Sequence, residues 1–301
     1  MYTMNDAAKM TTGSTSTDEN NTRQQQITRV RSSVEYHIYY NGKIKYKLID
    51  ETGNGTEKTE QVLKNARSKA KYIYHDSSNN EHEIGTYDIV VTGDTYADSR
   101  YKDKLGGNMI YLINISDNVS SYSNGDVQFG LAINTERPYA NDVTTASLLG
   151  AMLNTGYTDF NYNGGSNEKG ISPAPSSSHK NGMNLDMRYL RKDKSGDGIH
   201  LNLNGETGNP CGWKGLDVER QNKFIEELNR FGWGTILGWE YWDSTNSPNT
   251  GRAWDEWYAV WQREHPGETE KPVLKNITHA INHNHHTHFQ GYNPTLELMN
   301  D

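Results

Sequence analysis

Five of the chain's eleven histidines lie close together near the C-terminus, between His279 and His288. Packing gives a surface loop no reason to collect so many imidazoles, whereas neutral imidazole is the commonest protein ligand for zinc. A solvated basic loop and an expression tag are the other interpretations. A tag is disfavoured because Asn and Thr interrupt the run and more chain follows it. The cluster therefore predicts a transition-metal site.

A second group of metal-binding residue types lies about a hundred residues upstream, at positions 178–186. Here His179 and Asp186 flank a glycine, and a strand-like run extends to Leu190. Alternate residues of a strand share a face, so Asp186, Arg188 and Leu190 are expected to point the same way. Asp186 can then lie at the inner edge of a sheet, and His179 can reach it from the preceding loop.

The spacing of His286 and His288 suits a metal site with an open side. On a strand these two residues share a face, with Cα atoms roughly 6.5–7 Å apart. One imidazole can then bind a metal while the other faces the metal's open position. His283 and His285 have the same spacing and form the alternative register. Residues 178–186 and the C-terminal histidine run are each weak evidence for a metal site when taken alone. Together, and in this order, they are strong evidence for one.

This order, H-x6-D followed far downstream by H-x-H, resembles the zinc peptidases that cut peptidoglycan peptides. That group includes lysostaphin-like enzymes, D-Ala-D-Ala peptidases and penicillin-insensitive murein endopeptidases. The segment Ser178-His179-x-x-Gly182-x-x-x-Asp186, preceded by Ser177, is similar to the S-x-H-x-x-G-x-x-x-D motif of the last two branches. The sequence His283-x-x-His286-x-His288 resembles their H-x-x-H-x-H ending. The resemblance covers about the last 170 residues.

The resemblance implies an α+β catalytic domain with a hedgehog-like fold and an antiparallel sheet. It also implies one zinc ion per chain, held by His179, Asp186 and His288, with His286 as the catalytic histidine and His283 as a secondary site residue. Three protein ligands leave one position of a tetrahedral zinc open for water. The metal lowers the pKa of that water and polarises the scissile carbonyl, and His286 would act as a general acid-base group.

The relatives differ in the residue that precedes the last ligand. D-Ala-D-Ala carboxypeptidases and dipeptidases have a Glu or Asp there, whereas this chain has no carboxylate between His279 and His288. The difference favours an all-histidine, endopeptidase-like site that acts on a stem or cross-link peptide of peptidoglycan. The rival hypotheses are a zinc-containing binding module that cuts nothing and a structural part of a delivery particle. The structural role predicts four protein ligands.

Composition narrows the classes of partner. The net charge of −8 argues against nucleic acid, whose binding needs a basic surface. No apolar run is long enough to span a membrane, and the single cysteine, Cys211, excludes an intrachain disulfide. The first residues show neither a basic nor an apolar signal-peptide region. We therefore expect export without a Sec signal peptide and action in the periplasm or cell wall of a target bacterium. This is the behaviour of an antibacterial effector or lytic enzyme, with a secretion-apparatus carrier or an immunity protein as candidate partners.

The N-terminal half has a different character from the histidine-bearing half. Residues 1–26 are polar and predict a disordered arm. Strand-like runs flank Asn41-Gly42, a hairpin signal, and three further runs predict strands at residues 71–75, 83–92 and 108–115. They predict a β-rich accessory domain over residues 27–126 and a peptidase domain over residues 127–301. The accessory domain is either a targeting or carrier-binding module or a scaffold that covers the sheet of the catalytic domain. Three histidines of the accessory domain are expected to be exposed strand or turn residues and not metal ligands: His37, His75 and His82.

Two helices and two loops are predicted in the second domain. Asp142 is expected to cap a helix that ends at Gly156, and a second helix is expected from Asp217 to Phe231. The Gly-, Ser- and Pro-rich loop before the first histidine motif is expected to form a wall of the cleft. Residues 193–197 resemble the start of a calcium loop but lack its closing Glu, so a simple turn is favoured.

Overall fold

A computed structural model describes residues 30–53, 57–94, 98–201, 215–239, 251–268, 273–280 and 282–299, with backbone only for 251–257. The predicted disordered arm and Cys211 lie outside these ranges. Strands outnumber helices in a mixed architecture, which confirms the α+β class. None of the helices in these ranges combines the length and apolar character needed to cross a membrane.

The fold contains fifteen strands and five α-helices in the described ranges. The strands are β1 (Ser32–Tyr39), β2 (Ile44–Asp50), β3 (Arg67–His75), β4 (Glu81–Asp88), β5 (Val90–Asp94), β6 (Met109–Asn114), β7 (Ser121–Asn124), β8 (Val127–Ile133), β9 (Tyr139–Asn141), β10 (Phe160–Gly164), β11 (Leu185–Arg188), β12 (Trp233–Gly238), β13 (Thr278–His279), β14 (His286–Tyr292) and β15 (Leu296–Leu298). The helices are α1 (Glu60–Ala66), α2 (Ile115–Asn118), α3 (Asp142–Thr155), α4 (Val218–Arg230) and α5 (Gly251–Glu264).

The strands form three sheets. A five-stranded sheet has the order β15-β2-β1-β3-β4, and a three-stranded sheet has the order β5-β6-β9. The third has seven strands in the order β13-β12-β14-β11-β10-β8-β7. Its central strands, β12, β14, β11 and β10, are antiparallel as expected, but the β10–β8 and β12–β13 pairs are parallel. The predicted antiparallel pairing therefore holds for the four central strands, and the parallel pairs β10–β8 and β12–β13 make the sheet as a whole mixed.

The predicted Asn-Gly hairpin is confirmed between β1 and β2, which pair antiparallel. The run expected to form one strand over residues 83–92 belongs to two strands in two sheets, β4 and β5. The chain changes sheet at the buried Ile89. The alternation of apolar and polar residues indicates which face of a strand is buried, but it does not indicate which strand lies beside it. The change of sheet therefore leaves no local signal in the sequence.

Helix α3 lies in the core and packs against strands of the five- and seven-stranded sheets and against α4. Its predicted end at Gly156 is confirmed, since that residue has a φ of 69° and its N–H donates to a carbonyl of the last turn. The predicted cap was wrong by one residue. The side chain of Asn141 accepts from the backbone N–H of Val143, whereas Asp142 is buried in an ion pair with Arg67. Asp142 does not cap the helix because its carboxylate is paired with the buried guanidinium of Arg67.

The proposed division at residue 126 remains a prediction, and several contacts cross it. Strand β15 pairs with β2, β7 pairs with β8, and β6 pairs with β9. The buried ion pair of Arg67 with Asp142 also crosses it. The first and second halves of the chain therefore contribute strands to the same sheets and side chains to the same core.

Two histidines of the first half are buried, contrary to expectation. His37 is 9% exposed and His75 is 5% exposed, whereas His82 is half-buried. His37 and His75 are far apart in sequence, but Nδ1 of His37 lies 2.9 Å from Nε2 of His75. The prediction of exposed strand residues was wrong because β1 and β3 are neighbours in one sheet and bury each other's side chains.

Candidate metal centre

The three predicted ligands converge in the seven-stranded sheet. His179 precedes a short 3-10 helix, Asp186 lies on β11, and His288 lies on β14. The antiparallel register places Asp186 directly opposite His288. Their ligand atoms lie within 4.8 Å of one another, and each of the three side chains is at most 3% exposed. The structure thus brings together a buried group that can hold a metal; its role as a zinc site stays a prediction.

The backbone determines which nitrogen of His179 faces the group. Nδ1 of His179 lies 2.7 Å from the carbonyl oxygen of Asn184, and a carbonyl oxygen only accepts. Nδ1 must therefore carry the proton in the neutral ring, which leaves the lone pair on Nε2. Nε2 lies 3.1 Å from Oδ2 of Asp186. A backbone acceptor on the far nitrogen is the usual way to orient a metal-binding imidazole.

His288 is held from both sides of its ring. Nδ1 of His288 lies 2.7 Å from Oδ1 of Asp186, and Nε2 lies 3.3 Å from the hydroxyl of Ser178. Burial opposes ionisation of Asp186, but the neighbouring rings of His179 and His288 hold the pKa of that carboxyl well below its usual range. The carboxyl is therefore ionised at neutral pH, which is the form that binds a metal.

Ser178→Ala is expected to weaken zinc binding about tenfold, because groups that orient a metal-binding imidazole contribute at about this level. The dissociation constant is measured by competition with a chromophoric chelator. Ser177→Ala is the matched control, since Ser177 is exposed and lines the same cleft. Equal affinities for the two variants would show that the Ser178 hydroxyl does not position His288.

The backbone conformation at position 182 of the motif, and the close approach of a neighbouring segment, require glycine there. The φ of Gly182 is 63°, and a Cβ atom there would lie 2.5 Å from the backbone nitrogen of Asn141, at the start of α3. The carbonyl of Gly182 accepts a hydrogen bond of 2.8 Å from the hydroxyl of Thr144 on the same helix. The turn between His179 and Asp186 is thus fastened to the N-terminus of a core helix.

Gly182→Ala is expected to lower the free energy of unfolding by more than the 1 kcal/mol or so that left-handed strain alone costs, because the Cβ atom also meets backbone. Gly196→Ala is the matched control. Gly196 has a similar φ of 72°, but its Cβ would meet nothing closer than 3.5 Å. Urea denaturation of both variants measures the difference, and equal losses would show that only backbone strain is involved.

His286 and His283 complete the histidine cluster. Nε2 of His286 lies 3.6 Å from Oδ1 of Asp186, and the ring of His283 is centred 4.8 Å from that of His286. Burial lowers the pKa of His286 to about 3, against the charge of Asp186. Burial and the neighbouring His288 lower the pKa of His283 to about 4. Both rings are therefore neutral at pH 7, with a lone pair available.

Strand β14 begins at His286, so His286 and His288 occupy the strand positions predicted for the H-x-H pair. His283 and His285 precede the strand. The hydroxyl of Tyr189 donates to the carbonyl of His283 over 2.7 Å and accepts from the backbone N–H of Trp239. The structure thus favours the register in which His288 is the ligand, and it fixes His283 through its backbone.

Arg137 is a residue of the site that the sequence analysis missed. Its Nη2 lies 3.3 Å from Oδ2 of Asp186, and its Nη1 is buried with no hydrogen-bond partner in the part of the chain that the structure describes. Arg137 follows β8 in a connection that carries no periodic pattern. No local signal in the sequence could have placed it beside Asp186.

The cluster lies in a cleft of about 690 Å³, a size typical of small-ligand sites. One wall is formed by residues 173–178, which confirms the prediction that the Ser- and Pro-rich loop borders the site. Arg137 and Asn163 line the cleft on the β8 and β10 side, together with the histidines of the cluster. Among the described residues that line it, Asp186 is the only carboxylate.

The donor set fits a zinc ion. Two imidazoles and one carboxylate are the ligand types of catalytic zinc sites with an open position. Nδ1 of His283 and Nδ1 of His286 are also buried without hydrogen-bond partners in the described part of the chain. The site therefore contains imidazole nitrogens that make no hydrogen bond to the described protein.

Outside the site, the carboxylate of Asp193 is paired with Arg191, which agrees with the simple turn favoured at residues 193–197.

Comparisons of the chain with protein-family models, with curated proteins and with solved structures gave no match.

Proposed function

We propose that the chain is a zinc-dependent peptidoglycan peptidase of the lysostaphin and D-Ala-D-Ala peptidase type, with a hedgehog-like catalytic domain. The observation that carries the proposal is the convergence of His179, Asp186 and His288, all buried, with His286 beside them in an open cleft. Two segments far apart in sequence supply this group in the order that the resemblance requires.

The side chains of the cleft have separable roles in this proposal. His179, Asp186 and His288 hold the zinc ion, which when bound polarises the scissile carbonyl and makes water more acidic. His286 moves a proton at Nε2, the nitrogen that faces Asp186. Arg137 lines the cleft, and its guanidinium, whose Nη2 lies 3.3 Å from Oδ2 of Asp186, positions the ligand carboxylate.

The substrate proposed is a peptide bond in a stem or cross-link of peptidoglycan. Because Asp186 is the only carboxylate among the described lining residues and also the proposed ligand, a histidine is proposed as the proton-transfer group. This favours the endopeptidase-like arrangement over the carboxypeptidase one. The loop at residues 173–178 can contact the peptide along the cleft.

The first test is digestion of purified sacculi, with released fragments identified by mass spectrometry. The zinc-loaded protein is expected to release defined muropeptides, the chelated protein none, and readdition of zinc to restore release. The mass of the fragments identifies the bond that is cut. Failure of the zinc-loaded protein on every type of sacculus offered would contradict the proposal.

We further propose that the enzyme acts in the periplasm or cell wall of a target bacterium, as an antibacterial effector. Production in a test bacterium with an added export signal is expected to cause lysis, whereas cytoplasmic production is not. Lysis from the cytoplasm, or none from the periplasm, would contradict this. A secretion-apparatus carrier and an immunity protein are the partners that such a role requires.

A catalytically inactive zinc module is the second candidate, and the position of His283 favours it. The ring centroid of His283 lies 5.5 Å from that of His288, so His283 is close enough to serve as a fourth ligand after a small movement. Four protein ligands would leave no position for water, as in structural zinc sites. Tight binding of one zinc ion without release of any fragment would support this module, or the structural part of a delivery particle.

A further inference from the structure

Three side chains of metal-binding type meet in the five-stranded sheet, away from the proposed catalytic cleft. They are His37 on β1, His75 on β3 and Glu81 on β4, and one ligand atom from each lies within 4.8 Å of the others. Nδ1 of His37 and Nε2 of His75 are 2.9 Å apart. Both histidines are buried, and Glu81 is exposed at the edge of the group.

The register of the sheet creates this group. In the parallel pair of β1 and β3, Tyr39 lies opposite His75, and His37 is two residues before Tyr39 on the same face. In the antiparallel pair of β3 and β4, His75 lies opposite Glu81. The alternate residues of β1, such as Tyr36, face α3, so the group lies on the sheet face that points away from that helix.

Both imidazoles are held in orientations suited to a metal. The ring of Tyr39 stacks on His75 with centroids 4.2 Å apart and planes 12° apart. The carboxylate of Glu35 lies 3.9 Å from Nε2 of His37, the nitrogen that does not face His75. At 3.9 Å this contact is electrostatic and not a hydrogen bond, and a carboxylate beyond the far nitrogen is one of the groups that orient metal-binding imidazoles.

The charge state of the two rings also suits a metal. Burial lowers the pKa of His37, against the opposing charge of Glu35. Burial and the neighbouring His37 lower the pKa of His75. Both imidazoles are therefore neutral at pH 7, and a neutral imidazole is the form that binds metal ions.

We propose that His37, His75 and Glu81 form a second binding site for a divalent transition-metal ion of the zinc type. Two imidazoles and a carboxylate suit such an ion. The alternative is a hydrogen bond between two neutral imidazoles, in which Glu81 has no part. The metal site goes beyond the proposed peptidase activity, because a bound ion would tie β4 to β1 and β3 and stabilise the native state.

The test counts zinc in a variant that lacks the two histidine ligands of the proposed catalytic centre. The full-length His179→Gln/His288→Gln protein is titrated with zinc alone, and the bound metal is determined after equilibrium dialysis. One equivalent is expected to remain. Adding Glu81→Gln is expected to weaken its binding about tenfold or more, whereas adding Glu83→Gln, the exposed carboxylate two residues along β4, leaves it unchanged.

Adding His75→Gln is expected to remove the remaining equivalent, and a thermal shift with zinc should disappear with it. The exposed position of Glu81 keeps the test valid if the His75 variant unfolds. The proposal is overturned if the Glu81→Gln and Glu83→Gln derivatives bind zinc equally. The outcome is independent of peptidase activity, since both histidine ligands of the proposed catalytic centre are absent from every protein in this series.

Discussion

Replacing His286 by Gln is expected to slow the release of muropeptides by about 10²–10⁴-fold while the protein keeps its zinc. Nε2 of His286 lies 3.6 Å from Oδ1 of Asp186, beside the proposed ligands but outside the group whose ligand atoms converge. The substitution therefore removes the proposed proton-transfer group and leaves the three ligands in place. Glutamine fills part of the space of the imidazole, but its amide does not titrate near neutral pH.

His285→Gln is the matched control for this prediction. His285 precedes His286, its ring centroid is 4.4 Å from that of His286, and it lines the same cleft. The proposal gives it no role in proton transfer, so its replacement should leave kcat close to that of the wild type. Zinc content is determined for each variant, and rates are measured over a range of substrate concentrations so that kcat and KM are separated.

The opposite outcome would be informative. If His285→Gln loses activity and His286→Gln keeps it, the alternative register, with His283 and His285 as the H-x-H pair, is the functional one. If His286→Gln loses both zinc and activity, His286 is itself a ligand. Only loss of kcat with zinc retained agrees with the role proposed for His286.

The candidate metal centre could be predicted from sequence because each half of it is encoded locally. Residues 178–186 carry one half, and the strand that begins at His286 carries the other. Alternation along these strands then fixes which side chains share a face. Arg137 could not be found this way. Its position depends on the parallel pairing of β8 with β10 and on Gly164, whose Cβ would lie 2.8 Å from the Arg137 guanidinium.

The order of strands in the sheets was beyond sequence reasoning. Most individual strands of the first half were predicted near their observed positions, but nothing in them indicated that β1 and β3 are parallel neighbours or that β15 joins β2. A strand's pattern specifies its buried face and leaves its partners open. His37 and His75 consequently appeared to be isolated residues, although the sheet brings their rings together.

Replacing Arg67 by Met is expected to lower the free energy of unfolding by about 3–5 kcal/mol, the usual cost of breaking a buried ion pair from one side. Arg67 is fully buried. Its Nε donates to Asp142 over 2.7 Å, and its Nη2 donates to Asp103 over 2.5 Å. The guanidinium also lies over the ring of Tyr111 at 3.4 Å.

The large effect follows from the charges that would be left behind. Methionine fills much of the volume of the arginine stem, but two carboxylates would then be buried without their cation. Burial already raises the pKa of Asp103 above its ordinary value, even though Arg67 opposes this shift. Asp142 begins α3, the helix that fastens the turn at Gly182. The loss of Arg67 therefore also loosens the support of the metal centre.

Urea denaturation followed by tryptophan fluorescence measures the loss, with Lys71→Met on the same strand as the control. Lys71 pairs with Glu83 over 3.0 Å at the surface, and such exposed pairs contribute about 0–1 kcal/mol. A loss for Arg67→Met no larger than that of the control would contradict the prediction. Adding Asp103→Asn and Asp142→Asn to Arg67→Met should restore part of the stability. That recovery would identify uncompensated charge, rather than the lost contact with Tyr111, as the main cost.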